Sequence, residues 1–133
     1  MDFLIKSDIS AASLRFYDFN GEDLSAEITS PFYSAHLTFT TYMDSYGILN
    51  FFQKMAQYWD GWNGNFSWES LEGQCVLSAK TDMLGHISLQ VQLMDDFGKE
   101  ESWTLSATLT IYAGQLENLA REASVFFKKD NGQ

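Results

Sequence analysis

The sequence is poor in several residue types, and each shortage excludes a class of structure or chemistry. Cys75 is the only cysteine, so the chain can form neither an intrachain disulfide nor a cysteine cluster that holds zinc or an iron–sulfur centre. No apolar run approaches the roughly 20 residues needed to span a bilayer, and the first residues lack the basic and apolar segments of a signal peptide. We therefore expect a cytoplasmic protein with no membrane partner.

Basic residues are also scarce. Eight lysines and arginines stand against 18 aspartates and glutamates, which gives a formal net charge of -10. This charge repels the phosphate backbone of a nucleic acid and favours the approach of a cationic partner. The composition therefore argues against nucleic acid as a partner and indicates a positively charged protein, although an excess of acids also serves solubility.

The length and the apolar content predict one domain, residues 1–133. A chain of 133 residues with 45% hydrophobic residues, 16% aromatic residues and a single proline can bury a core without disulfides or metals. No internal repeat, low-complexity tract or linker divides it. Alternating strands can pair within one chain or across two copies, so we expect a monomer or a homodimer.

Both halves of the chain contain segments in which apolar and polar residues alternate, which is the pattern of strands with one buried face. In the first half these segments begin near Phe3, Ser13 and Ser34, and Asn20-Gly21 is a strong tight-turn signal. In the second half they are SWESL, QCVLSAK, HISLQVQLM and WTLSATLTIY. The side chains expected to face the core in the last two are Ile87, Leu89, Val91 and Leu93, then Trp103, Leu105, Ala107, Leu109 and Ile111.

Residues 46–59 have helical periodicity instead. The apolar stripe consists of Ile48, Phe51, Phe52, Met55, Tyr58 and Trp59. Asp44 or Ser45 is placed to cap the first free amides of this helix, and Gly61 is placed to end it. The segment therefore predicts an amphipathic helix that packs on the sheet.

A second helix is predicted over residues 115–128. Glu117 near its start and Lys128 near its end match the helix dipole, and the apolar stripe is Leu116, Leu119, Ala120, Ala123, Phe126 and Phe127. The fold class that follows is α+β: a curved antiparallel β-sheet or a two-sheet sandwich with one or two packed helices.

Trp62 and Trp68 lie in a glycine-rich segment, GWNGNFSWESLEG, and two interpretations apply to them. Exposed indoles on a sheet could stack against the apolar faces of sugar rings. Alternatively, the indoles anchor the junction between helix and sheet, where glycines allow close backbone approach. We favour the second interpretation, and the first supplies the alternative function: a carbohydrate or small-ligand module.

The residues that most often carry catalysis form no compact set. Asp60, Glu69, Glu72 and Asp82 permit a two-carboxylate hydrolase hypothesis, but 18 acids make chance pairs inevitable. The two histidines, His36 and His86, are distant in sequence, and we expect Asp82 and His86 to hydrogen bond across a turn. Cys75 is expected to be a small buried hydrophobe. No nucleophile elbow, phosphate loop or dinucleotide fingerprint occurs, so we predict no catalytic residue, no metal and no cofactor.

Two groups of acids remain as candidates for binding a partner. The first follows the Asn20-Gly21 turn, and the second surrounds Gly98. Paired carboxylates at the tips of turns can engage lysines and arginines and raise the rate of association. The residues are Glu22, Asp23 and Glu27 in the first group, and Asp95, Asp96, Glu100 and Glu101 in the second.

The chain resembles an uncharacterised bacterial family through three segments: GW-x-G-x-x-x-W-x-S-L-E-G, a D-x-x-G-H turn and a terminal G-Q-L-E helix. This likeness spans residues 51–127. The family motif maps onto Trp62, Gly64, Trp68, Leu71, Glu72, Gly73, Asp82, Gly85 and His86. The plan of the chain is more distantly similar to immunity proteins of the WapI type, which neutralise polymorphic toxins.

The resemblance implies a small cytoplasmic protein that blocks a toxin domain, and it carries no catalytic residue with it. Our leading hypothesis is a non-catalytic, immunity-like binding protein that contacts a basic toxin through its acidic loops. The carbohydrate or small-ligand module is the alternative, and the hydrolase is the third hypothesis. The motif residues are expected to be structural.

Overall fold

A computed structural model describes residues 1–95 and 100–128 of the chain. Within these residues the strands are β1 (Phe3–Lys6), β2 (Ser13–Tyr17), β3 (Asp23–Ser30), β4 (Tyr33–Thr40), β5 (Phe66–Glu69), β6 (Cys75–Thr81), β7 (His86–Asp95) and β8 (Trp103–Tyr112). The helices are α1 (Gly47–Gln57) and α2 (Leu116–Lys128), and a short 3₁₀ turn, Ala113–Gln115, precedes α2. Neither of the two described α-helices is long and apolar enough to cross a membrane.

The first four strands form one antiparallel sheet in the order β1-β2-β3-β4. Phe16 pairs with Ala26, and Ala26 pairs with Leu37, so one face of the sheet collects apolar side chains from successive strands. The predicted hairpin at Asn20-Gly21 is confirmed as the β2–β3 connection. Strand alternation with one buried face therefore forms this sheet as the sequence pattern predicts.

The last four strands form a second antiparallel sheet in the order β5-β6-β7-β8. Leu77 pairs with Val91, and Val91 pairs with Ala107. The inward residues predicted for β7 are all buried. Two separate four-stranded sheets with two helices confirm the α+β class and match the two-sheet form of the prediction.

One continuous apolar core joins both sheets and both helices. Phe3 of β1 meets Phe52 of α1 edge to face at 5.1 Å between ring centroids, and it also contacts Phe126 and Phe127 of α2. The loop after β1 contacts the second sheet through a hydrogen bond that the Asp8 amide donates to the Thr110 carbonyl at 2.8 Å. The helices are thus held against the first sheet by aromatic packing.

The start of α1 differs from the prediction. Its N-cap residue is Tyr46, and no side chain caps the helix. Asp44 accepts a hydrogen bond from Trp68 Nε1 at 2.8 Å, while the Ser45 hydroxyl donates to the Gly21 carbonyl at 2.7 Å. The prediction that Asp44 or Ser45 caps α1 is wrong because both side chains are used to tie α1 to distant parts of the chain.

Three aromatic residues assigned to the core are exposed instead. Tyr58, the C-cap residue that follows α1, is 43% exposed. Trp59 is 63% exposed because α1 ends at Gln57, two residues earlier than predicted, so the helical stripe does not reach it. Trp103 is 37% exposed because it is the first residue of β8 and pairs with Asp95 at the end of the sheet. All three departures occur at the end of a helix or strand.

Candidate functional site

The β2–β3 turn presents acids on a backbone that hydrogen bonds hold from several sides. Asn20 Oδ1 accepts from the amides of Glu22 and Asp23, at 2.9 and 2.7 Å. The Glu22 carbonyl accepts from the Thr41 hydroxyl at 2.9 Å and from the Thr41 amide. Gly21 has a φ of +95°, which favours glycine, and its carbonyl receives the Ser45 hydroxyl. The turn is therefore fixed in one shape.

The carboxylates of this turn point into solvent without protein partners. Asp18, Glu22 and Asp23 are exposed, and in the described residues their side chains make no hydrogen bond or ion pair. Together with the fixed backbone of Glu22 and Asp23, this gives three uncompensated negative charges on one turn. We call Asp18, Glu22 and Asp23 the acidic turn.

Glu27, the third acid of the predicted first group, is not free. Its Oε1 lies 3.0 Å from Arg15 Nη2, and Arg15 Nη1 lies 2.8 Å from Asp2. The hydrogen bonds that the Arg15 guanidinium donates to Asp2 and Glu27 raise its pKa. Because Glu27 is compensated on the sheet surface, the structure separates it from the acidic turn.

The second predicted group of acids flanks the β7–β8 connection. Asp95 is half-buried and pairs with Trp103 in the ladder, whereas Glu100 and Glu101 are exposed. Asp96 lies outside the described residues. This group belongs to the second sheet and the acidic turn belongs to the first, so the two groups occupy separate connections of the fold.

Trp62 and Trp68 are interior side chains. They are only 9% and 8% exposed. Trp62 Nε1 donates to the Ala79 carbonyl at 3.3 Å, and its ring stacks on Phe66 with centroids 4.4 Å apart. Trp68 Nε1 donates to Asp44, and its ring contacts Phe39. The two indoles join helix, turn and sheet, and they do not form an open platform for a sugar.

Several other motif residues shape turns. The β5–β6 turn contains Leu71, Glu72 and Gly73, of which Leu71 and Glu72 are exposed. Gly73 has a φ of +73° and donates its amide to the Ser70 carbonyl at 2.9 Å, a backbone conformation that other residues rarely adopt. Gly64 lies exposed before β5, and Gly85 lies in the turn before β7.

Asp82 and His86 make the predicted contact across the β6–β7 turn. Asp82 Oδ1 accepts from the Leu84 amide at 2.7 Å and from the His86 amide at 3.2 Å, while Oδ2 lies 2.7 Å from His86 Nδ1. The hydrogen bond from the Leu84 amide, followed by the one from His86, lowers the pKa of the Asp82 carboxyl. The ionised carboxylate therefore organises this turn.

This arrangement predicts a dependence of stability on pH. Since the folded pKa of Asp82 is depressed, its contribution is present above the ordinary pKa of about 3.9 and is lost as the pH falls through the folded value. We expect Asp82→Ala to melt below the parent at pH 7, and the difference to shrink at pH 3. Thermal unfolding followed by circular dichroism measures both.

Asp60→Ala is the matched control for that experiment. Asp60 is an exposed acid that has no hydrogen bond or ion pair within the described residues. Its replacement should leave the melting temperature nearly unchanged at both pH values. Equal melting temperatures for Asp82→Ala and the parent at pH 7 would show that the contact does not stabilise the turn.

The four acids of the hydrolase hypothesis do not converge on one cleft. Glu69 and Glu72 precede β6, whereas Asp82 follows it. Because β6 has seven residues and a strand rises about 3.3 Å per residue, Glu72 and Asp82 are separated by roughly 23 Å. Asp60 lies in the segment after α1 and is exposed. Glu72 and Asp82 therefore lack the short spacing of a carboxylate pair that acts on one bond, and the four acids do not form one site.

The histidines and the cysteine are also far apart. His36 is exposed on β4 of the first sheet, and His86 begins β7 of the second. Cys75 is fully buried, and burial raises the pKa of its thiol, so its interpretation as a small core residue is confirmed. Within residues 1–95 and 100–128, no group of three metal-ligating side chains comes together.

Asp44 is the residue whose role the sequence pattern missed. A side chain three residues before the first turn of α1 suggests a cap, and its actual partner, Trp68, is 24 residues away. The glycine at position 47 was the available signal, because a side chain there would overlap Trp68 Nε1 and the Asp44 carboxylate. A close approach of this kind explains why glycine begins the helix.

The protein is a two-sheet α+β domain that carries the acidic turn at its β2–β3 connection. A model of a family of unknown function, DUF6228, matches residues 5–130. The chain therefore belongs to this family, as the resemblance to an uncharacterised family implied. The comparison with curated proteins found no match.

Proposed function

We propose that this protein is a non-catalytic, immunity-like inhibitor that binds a basic bacterial toxin domain, with the acidic turn as its principal contact. The observation that carries the proposal is the combination of three free carboxylates, Asp18, Glu22 and Asp23, with a backbone fixed by Asn20 and Thr41. A prearranged charged surface loses little conformational entropy on binding.

Long-range electrostatics supports the same partner. The net charge of -10 attracts a cationic protein at a distance and accelerates its approach, whereas the uncompensated carboxylates provide local pairing with arginine or lysine. Glu100 and Glu101 add exposed charge at the β7–β8 connection. The distant likeness to WapI-type proteins supports a toxin as the cationic partner.

Co-expression with any candidate toxin domain encoded beside this gene tests the proposal. We expect the chain to protect cells from that toxin and to copurify with it. A double variant, Glu22→Lys with Asp23→Lys, should lose protection because it replaces two attractive charges by two repulsive ones. Both side chains are exposed and unpaired, so the fold should be retained.

The matched control is Asp60→Lys with Glu122→Lys. These acids are exposed and lie outside the acidic turn, and their reversal changes the net charge by the same amount. The control variant should retain protection. Absence of protection by the parent chain, together with absence of a copurifying protein, would contradict the proposal.

A further inference from the structure

The outer face of the second sheet contains a depression of about 330 Å³. This volume is at the lower end of the range for small-molecule sites. The lining residues come from the segment before β5 and from β6, β7 and β8: Asn65, Ser78, Lys80, Ser88, Gln90 and Thr108. All six lining residues are polar, and five of them lie on regular strands, which position side chains precisely.

The strand register explains why the face is concave here. Ser78 pairs with Gln90, and Gln90 pairs with Thr108, while Lys80 pairs with Ser88. The short, half-buried side chains of Ser78 and Ser88 form the floor, and longer exposed side chains such as Lys80 and Gln90 rise beside them. Alternation of short and long residues on neighbouring strands thus leaves room for a ligand.

The polar groups of the depression are not used by the protein itself. Within the described residues, none of its six side chains makes a hydrogen bond or an ion pair. The outer face of the first sheet differs, since Arg15 bonds to Glu27 and Ser25 bonds to Thr38 there. Hydroxyl, amide and ammonium groups in the depression therefore remain available to an external molecule.

The charge of the depression is opposite to that of the whole chain. Lys80 is its only charged lining residue, and no carboxylate lines it, although the chain as a whole has a charge of -10. One ammonium group matches one negative charge. A dianionic phosphate would bring a second charge that the depression cannot match and that the remainder of the protein repels.

We propose that this depression binds a small hydroxylated monocarboxylate of the sugar-acid class. Lys80 pairs with the carboxylate, while Ser78, Ser88, Gln90 and the other polar side chains bond to the hydroxyl groups. The site uses no indole, and it lies on a different sheet from the acidic turn. It is therefore independent of the proposed toxin contact.

Titration of the ¹⁵N-labelled chain with D-glucuronate tests the site. We expect saturable changes in the amide signals of Ser78, Ser88, Gln90 and Thr108. Lys80→Gln should raise the Kd for glucuronate about tenfold or more. Lys80→Arg keeps the charge and should change the Kd by less than about threefold. Lys80 is exposed and unpaired, so neither variant should disturb the fold.

Two further variants separate a specific site from general attraction. Lys6→Gln removes an exposed lysine from β1 in the first sheet and should leave the Kd unchanged. Ser88→Val removes a floor hydroxyl but keeps a residue suited to a strand, and it should weaken binding severalfold.

Three results would overturn the proposal. The first is the absence of saturable changes at these amides, and the second is equal binding by Lys80→Gln and the parent. The third is binding of neutral glucose or of glucose 6-phosphate at least as tight as that of glucuronate, since either would reject the monocarboxylate.

Discussion

Replacing Trp62 by alanine is expected to lower the free energy of unfolding by about 3–5 kcal/mol, the usual cost of removing a large buried aromatic side chain. Trp62 is 9% exposed, stacks on Phe66 at 4.4 Å and donates to the Ala79 carbonyl. The substitution leaves a cavity beside Phe66 and removes the donor for that carbonyl. Urea unfolding followed by circular dichroism gives the change directly.

Trp59→Ala is the matched control, because Trp59 is the same residue type three positions earlier and is 63% exposed. Its replacement should change the free energy of unfolding by no more than about 0.5 kcal/mol, as is usual for surface substitutions. A cost below about 1 kcal/mol for Trp62→Ala would mean that the indole does not support the core. The buried role of the motif tryptophans would then be wrong.

Replacing Gly47 by alanine is expected to destabilise the protein by about 1.5–5 kcal/mol. Alanine gains about 1 kcal/mol over glycine inside a helix, but a Cβ at this position overlaps Trp68 Nε1 and the Asp44 carboxylate. Overpacking in a filled interior costs about 1–3 kcal/mol, and a broken hydrogen bond to a charged group adds about 1.5–3 kcal/mol. The clash therefore outweighs the gain in helix propensity.

Gly114→Ala serves as the control for this prediction. Gly114 lies in the 3₁₀ turn before α2, and a Cβ there would meet no atom within 4 Å. The free energy of unfolding should stay the same or rise slightly. If Gly47→Ala and Gly114→Ala unfold at the same urea concentration, the close approach of α1 to Trp68 has no energetic importance.

Local sequence patterns were sufficient for most of the fold. Alternation in β7 predicted a buried side containing Ile87, Leu89 and Val91, because an antiparallel sheet commonly packs one face on the core and exposes the other to solvent. Asn20-Gly21 predicted the β2–β3 hairpin, since the turn requires a residue that tolerates positive φ. These features depend on neighbouring residues alone.

Features that depend on distant residues were missed or misassigned. The use of Asp44 follows from its contact with Trp68, 24 positions away, so a local capping rule could not predict it. Compensation of Glu27 by Arg15 depends on the pairing of β2 with β3. Alternation predicted that Ser88, Gln90 and Thr108 face away from the core. The concavity of the depression requires in addition the register of Ser78, Gln90 and Thr108 on neighbouring strands.

The candidate binding surface was predicted in part. The sequence indicated Glu22 and Asp23 because they follow a turn signal, and the structure shows that their backbone is held by Asn20 and Thr41. It added Asp18, whose φ of +54° places it in the left-handed region at the same turn. Aspartate adopts this conformation more often than most residues do, but the residue type alone does not predict it at one position.

If the proposed toxin partner is identified, the rate at which the purified chain associates with it, measured by stopped-flow at several salt concentrations, is the most direct test of the acidic turn. We predict a rate constant that falls steeply as salt rises. Glu22→Lys with Asp23→Lys should slow association by about tenfold or more at low salt and flatten the salt dependence, with a much smaller effect for Asp60→Lys with Glu122→Lys. Equal slowing by the two double variants would show that only net charge matters, and would contradict a specific contact at this turn.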